Sequence, residues 1–199
     1  MEFTYAIICT FVFSIVLSII YFKKEHISSP ETKIYSVLLI TNSIGLLIEF
    51  ICSFIGYKYT SNVFLATIFT KIYLVYLMSF ILLMTLYIYM ICYVVSKRPD
   101  ESRWVKLKEI SLILYIICIV ITILLPMNVK AGYADGLAVN FVYLCASITL
   151  IIWFIPYIKN RKYIQGKKLT PMVVFLILTV ATSLIQKSNP HVTITTIME

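Results

Sequence analysis

Long apolar runs alternate with short polar junctions along the chain, at residues 3–22, 34–57, 62–96, 110–129, 137–158 and 169–186. Each has at least the ~17–25 residues that an α-helix needs to cross the hydrocarbon core of a bilayer, the third with turns to spare. A closed membrane barrel would instead show ~10-residue segments of alternating character, so the pattern predicts helices. Residues 192–198 (VTITTIM) resume the apolar pattern and read as the opening of a further span. The expected fold is all-α: a polytopic transmembrane helix bundle of six complete spans and a truncated seventh, forming a single domain over residues 1–199.

The junctions differ in charge, and the difference gives the bundle a direction. Lys23, Lys24 and Lys33 lie in the first junction, and Lys97, Arg98, Arg103, Lys106 and Lys108 in the third. The fifth holds Lys159, Arg161, Lys162, Lys167 and Lys168. The second has only Lys58 and the fourth only Lys130. Lys and Arg in short loops are retained in the cytoplasm, which places the odd junctions inside and the N-terminus in the extracytoplasmic space. Residue 199 is then extracytoplasmic or entering the membrane, and the chain is expected to be the front part of a longer protein. The first junction reads as a tight turn, with Ser28-Ser29-Pro30-Glu31 starting the second helix. Residues 97–109 read as a basic connecting segment with Trp104 at the interface, and residues 130–136 (KAGYADG) as a Gly-punctuated outer turn.

Composition agrees with an integral membrane protein: 61% of residues are hydrophobic and 13% charged, against about 25% charged in soluble domains. The formal charge of +8 is largely topogenic, and the bases lack the interleaved aromatics that stack single-stranded nucleic acid. The expected partner of these bases is the lipid bilayer and its anionic inner leaflet, with no role for nucleic acid. Cys9, Cys52, Cys92, Cys118 and Cys145 all fall within apolar runs without CxxC spacing. They read as small hydrophobes, and no metal or cofactor site is expected.

Within the runs, Glu49 and Lys71 are the two formally charged side chains. Burying an ionisable group in hydrocarbon costs about 2.5–3.5 kcal/mol on insertion scales, so each needs a partner, a cavity or a path to the interface. Counting ~1.5 Å per residue from the second junction puts Glu49 roughly 12 Å and Lys71 roughly 13 Å below the same surface. They can pair across the hairpin of spans two and three, or Lys71 can stretch to the outer interface. Asn42, Gly45 and Glu49 recur at helical spacings of three and four and share one face. That face is read as a helix contact or as a signal or ligand site.

Catalytic motifs are absent: there is no Walker loop, HExxH or GxSxG. His26 opens His-Ile-Ser-Ser-Pro, which departs from the phospho-accepting box of histidine kinases in lacking an acidic residue after His and in the position of Pro30.

Residues 31–50 (ETKIYSVLLITNSIGLLIEF), 71–77 (KIYLVYL) and 186–196 (QKSNPHVTITT) together resemble the N-terminal multi-span sensor region of Gram-positive bacterial sensor histidine kinases. The shared features are a polar-basic start, a mid-helix Asn and a Gly-x-x-x-Glu ending of span two, followed by an Asn-Pro turn before the last span. The resemblance implies a membrane-embedded input domain that relays a membrane or extracellular signal to a cytoplasmic output module absent from this chain. It implies a homodimer formed through that module, a cognate response regulator, and kinase activity confined to the missing part. The alternative expectation is a small transporter or permease-like protein using Glu49 as an ion or proton site.

Overall fold

The computed structural model describes residues 2–24, 29–58, 63–94, 100–130, 133–160 and 162. Five helices account for nearly all of them: α1 (Glu2–Lys23), α2 (Pro30–Lys58), α3 (Val63–Tyr93), α4 (Glu101–Leu124) and α5 (Leu137–Asn160). Four are long and apolar enough to cross a membrane, over Pro30–Cys52, Val63–Tyr93, Glu101–Leu124 and Leu137–Pro156; α1 adds the shorter apolar stretch Ile8–Lys23. Residues 169–186 and 192–198, where the pattern places a sixth span and the opening of a seventh, lie outside the described residues. His26 lies outside them as well.

Helix α2 starts at Pro30, within the helix start that Ser28-Ser29-Pro30-Glu31 predicts and four residues ahead of the apolar run at 34. The reason is a reciprocal cap. The Thr32 N–H donates to Ser29 Oγ at 3.1 Å, and the Ser29 N–H donates to Thr32 Oγ1 at 2.9 Å. With Pro30 in the first helical position, where its missing N–H costs nothing, the first turn is satisfied before the apolar run begins.

Helix α4 departs further from the sequence reading. It begins at Glu101, nine residues before the expected 110, so Arg103, Lys106 and Lys108 sit on its first turns and not in a loop. Asp100 is the cap: its Oδ1 accepts from the Arg103 N–H at 3.0 Å, and its Oδ2 lies 3.4 Å from Arg103 Nε. Lys, Arg and Glu are good helix formers, so charge marks where the apolar span begins without marking where the helix begins. Trp104 packs on the core beside Leu107, and the Arg103 guanidinium lies 5.6 Å from the centre of the Tyr93 ring. At the other end α4 stops at Leu124, short of the expected 129. Leu125 precedes Pro126 and takes φ −65° and ψ 140°, the extended geometry that a following proline imposes.

The fold is all-helical apart from one detail between α4 and α5. Residues expected as a simple turn form a small antiparallel hairpin, β1 (Asn128–Lys130) and β2 (Tyr133–Asp135), with Val129 opposite Ala134. Gly136 then takes φ +127°, and a Cβ there would come within 2.9 Å of Met127 Cα. Only glycine allows α5 to start there directly after the strand.

Paired contacts fix the directions of the helices. Cys52 meets Phe69, Gly45 meets Tyr76 and Tyr35 meets Tyr87, so α2 and α3 are antiparallel. Ser18 with Ser43, and Tyr21 with Thr32, make α1 antiparallel to α2. Ser79 Oγ and the Tyr115 hydroxyl, 2.6 Å apart, tie α3 to an antiparallel α4. By contrast α5 runs parallel to α3: Leu74 and Met78 pack with Ala138 and Val142, while Thr85 meets Trp153. Helix α3 is therefore the hub, touching α2, α4 and α5. Its two core clusters are centred on Leu74/Met78 and on Ile88/Ile91/Cys92. The outward faces of α1, α4 and α5 carry Phe13, Ile20, Ile113, Ile116, Ile151 and Ile155 exposed, as a bundle solvated by lipid requires.

Candidate functional site: a buried polar seam on α2

Helix α2 has one face buried between α1 and α3, and that face carries the polar side chains. Asn42, Gly45 and Glu49 succeed one another along it, with Leu46 fully buried beside them. Glu49 is 4% exposed and Asn42 8%. The expected grouping of these three on a single helix face is thus also their grouping inside the bundle.

Toward α1 the seam is made of hydroxyls. Asn42 Nδ2 donates to Ser14 Oγ at 3.4 Å, and Ser14 Oγ lies 3.0 Å from Ser43 Oγ. Ser18 reaches the same Ser43 hydroxyl at 3.4 Å. Ser14 and Ser18 sit one turn apart in an otherwise apolar helix. Each interhelical bond of this kind contributes on the order of 1 kcal/mol in a membrane.

Toward α3 the seam is a close approach. The Tyr76 ring lies over Gly45 so tightly that a Cβ on Gly45 would fall within the ring. Tyr76 is itself buried, with Tyr73 and Phe80 flanking it at centroid distances of 5.9 and 6.3 Å. One turn beyond Glu49, Cys52 Sγ donates to the Phe69 carbonyl at 3.3 Å. From Asn42 to Cys52 the seam therefore joins three helices.

Lys71 occupies a different place. Its Nζ donates to the backbone carbonyl of Ile123, one of the last carbonyls of α4, which have no intrahelical donor. An ammonium there complements the negative end of the helix dipole. The third candidate residue thus acts between α3 and α4, while Asn42 and Glu49 lie between α1, α2 and α3.

Ser14, Ser43 and Tyr76 were not singled out from the sequence. The Ser14/Ser18 spacing in α1 was a usable signal for the first. For Tyr76 the signal was Gly45, since a glycine in a membrane helix admits a bulky neighbour. Among the described residues, no group of three or more His, Cys, Asp or Glu side chains could hold a metal ion.

Compared with known proteins, the chain matches no family model, and no curated protein or solved structure is significantly similar to it.

Proposed function

We propose that the chain is the membrane-embedded sensor region of a bacterial signal-transduction protein of the sensor histidine kinase type. The observation that carries the reading is the buried seam of Asn42, Gly45 and Glu49 on α2, held against α1 by Ser14 and against α3 by Tyr76. Polar groups packed inside an apolar bundle favour discrete arrangements, because intermediate ones leave them unsatisfied. A signal that changes the partners of Glu49 would then shift α2 against α1 and α3 as a step. In this reading the bundle has six spans and the start of a seventh in the cell membrane, with an extracytoplasmic N-terminus and residue 199 extracytoplasmic or entering the membrane. The output module is cytoplasmic and dimeric and acts on a cognate response regulator.

The test is Glu49→Gln in the full-length protein, read by a reporter of the cognate response regulator. Altered signalling at unchanged membrane abundance is the expected result, and unaltered signalling rejects the role of Glu49.

A second reading is favoured by one observation, the burial of the Glu49 carboxyl in an apolar bundle: a small transporter would place a proton or cation site there. Reconstituted protein would then move a proton or cation across vesicles, and Glu49→Gln would abolish that movement.

A further inference from the structure

A cleft of about 570 Å³ runs along the outside of the bundle between α1 and α2. Phe11, Ile15 and Ile19 form one wall, and Ile40, Ile44 and Leu47 the other. Ile15, Ile19, Ile40, Ile44 and Leu47 are all exposed, so the cleft opens to whatever surrounds the bundle. Ser18 and Ser43 also line it, but their hydroxyls are engaged. They lie 3.4 Å apart, and Ser43 donates to the Leu39 carbonyl at 3.1 Å. The body of an occupant therefore meets methyl and methylene groups and no polar demand.

One end of the cleft is charged. Lys23, the last residue of α1, lines it beside Phe22 and is exposed, with Lys24 next in the chain. None of the lining residues is acidic. From Phe11 to Lys23 the α1 wall rises about 18 Å at ~1.5 Å per residue, slightly more than half of a ~30 Å hydrocarbon core. The occupant that fits is apolar over the depth of one leaflet and anionic at the end where Lys23 stands.

We propose that this cleft binds one anionic diacyl phospholipid, with an acyl chain between α1 and α2 and the phosphate at Lys23. Two other occupants fit the charge less well. Residues 169–186 contain no Asp or Glu and follow Lys167 and Lys168, so packing them here would add bases to Lys23 or leave it without a counter-charge. A second copy docked by its own identical cleft would bring Lys23 toward Lys23 in a two-fold contact. The proposal stands apart from the sensor reading, since it requires neither a signal nor an output module.

Native mass spectrometry of the 199-residue protein, with phosphatidylglycerol and phosphatidylcholine of matched acyl chains, tests it. One phosphatidylglycerol is retained per chain, in preference to phosphatidylcholine by about fivefold for one well-placed lysine. Lys23→Ala brings that ratio toward one, and Ile44→Trp, which fills the cleft, removes retention of both lipids. Because Ile44→Trp can also perturb folding, the unaltered protein is labelled in parallel with phosphatidylglycerol bearing a photoreactive acyl chain. Labels concentrate on residues 11–19 and 40–47. Equal retention of the two lipids, a preference that survives Lys23→Ala, or labels spread equally over the outer face of α4 would overturn the proposal. A cross-linked dimer through the α1–α2 face would overturn it in favour of a second copy.

Discussion

At the scale of single residues, the seam turns on Gly45. Every other side chain would intrude on the Tyr76 ring, and forcing extra carbon into a packed interface typically costs about 1–3 kcal/mol. Gly45→Ala is therefore expected to lower stability by that amount in a thermal melt in detergent, and adding Tyr76→Leu recovers part of the loss by vacating the space. Additive losses in the double variant would show that the two residues do not share the contact. This pairing also shows what the sequence could reveal. The spacing of Asn42, Gly45 and Glu49 was sufficient to place them on one face, because helical periodicity is local. Their partners Ser14 and Tyr76 are on other helices, and no local pattern specifies which residues of α1 and α3 arrive opposite them.

At the scale of elements, the structure separates the helix from the apolar span. Five helices were legible because apolar runs of this length have few other solutions in lipid, where backbone groups must be satisfied internally. Boundaries were less legible. Ser29 caps α2 where the sequence places its start, but Asp100 extends α4 into a segment whose charge suggested a loop, and Pro126 stops α4 inside a run that stays apolar to Val129. The hairpin β1–β2 leaves no periodic signal in the sequence, because its strands are three residues each, too short for alternation to register. The capped C-terminal end of α4 gives a prediction at this scale. Lys71→Met removes the donor to the Ile123 carbonyl and is expected to cost about 0.3–1 kcal/mol, in the range of exposed helix-terminus cations. Hydrogen exchange should quicken at residues 121–125 in that variant and remain slow in Lys71→Arg. Unchanged exchange in Lys71→Met would show that the α4 terminus does not depend on Lys71.

At the scale of the whole molecule, the antiparallel pairs α1/α2, α2/α3, α3/α4 and α4/α5 make successive helices alternate in direction. Alternation puts the starts of α2 and α4 and the end of α5 on one side, with the β1–β2 hairpin on the other. The basic residues Lys33, Arg103, Lys106 and Lys159 gather on the first side, the side that the proposed topology puts in the cytoplasm. Single cysteines at Lys106 and Lys162, in a background free of native cysteines, should label with an impermeant thiol reagent only in opened cells. A cysteine at Asn128 should label in intact cells, and the reverse pattern would invert the topology.

Trp153 reaches across 68 residues of chain to donate its indole N–H to Thr85 Oγ1 at 3.0 Å, completing the parallel contact of α5 with α3. A parallel neighbour cannot arrive until the chain has crossed back, so α4 and the hairpin must be threaded before α5 can dock. Until then the Thr85 hydroxyl has its own-turn partner, the Ile81 carbonyl, and the Leu74/Met78 face of α3 has no α5 to cover it. Among the described residues, the Leu74/Met78 face of α3 is covered by Ala138 and Val142 only once α5 has docked.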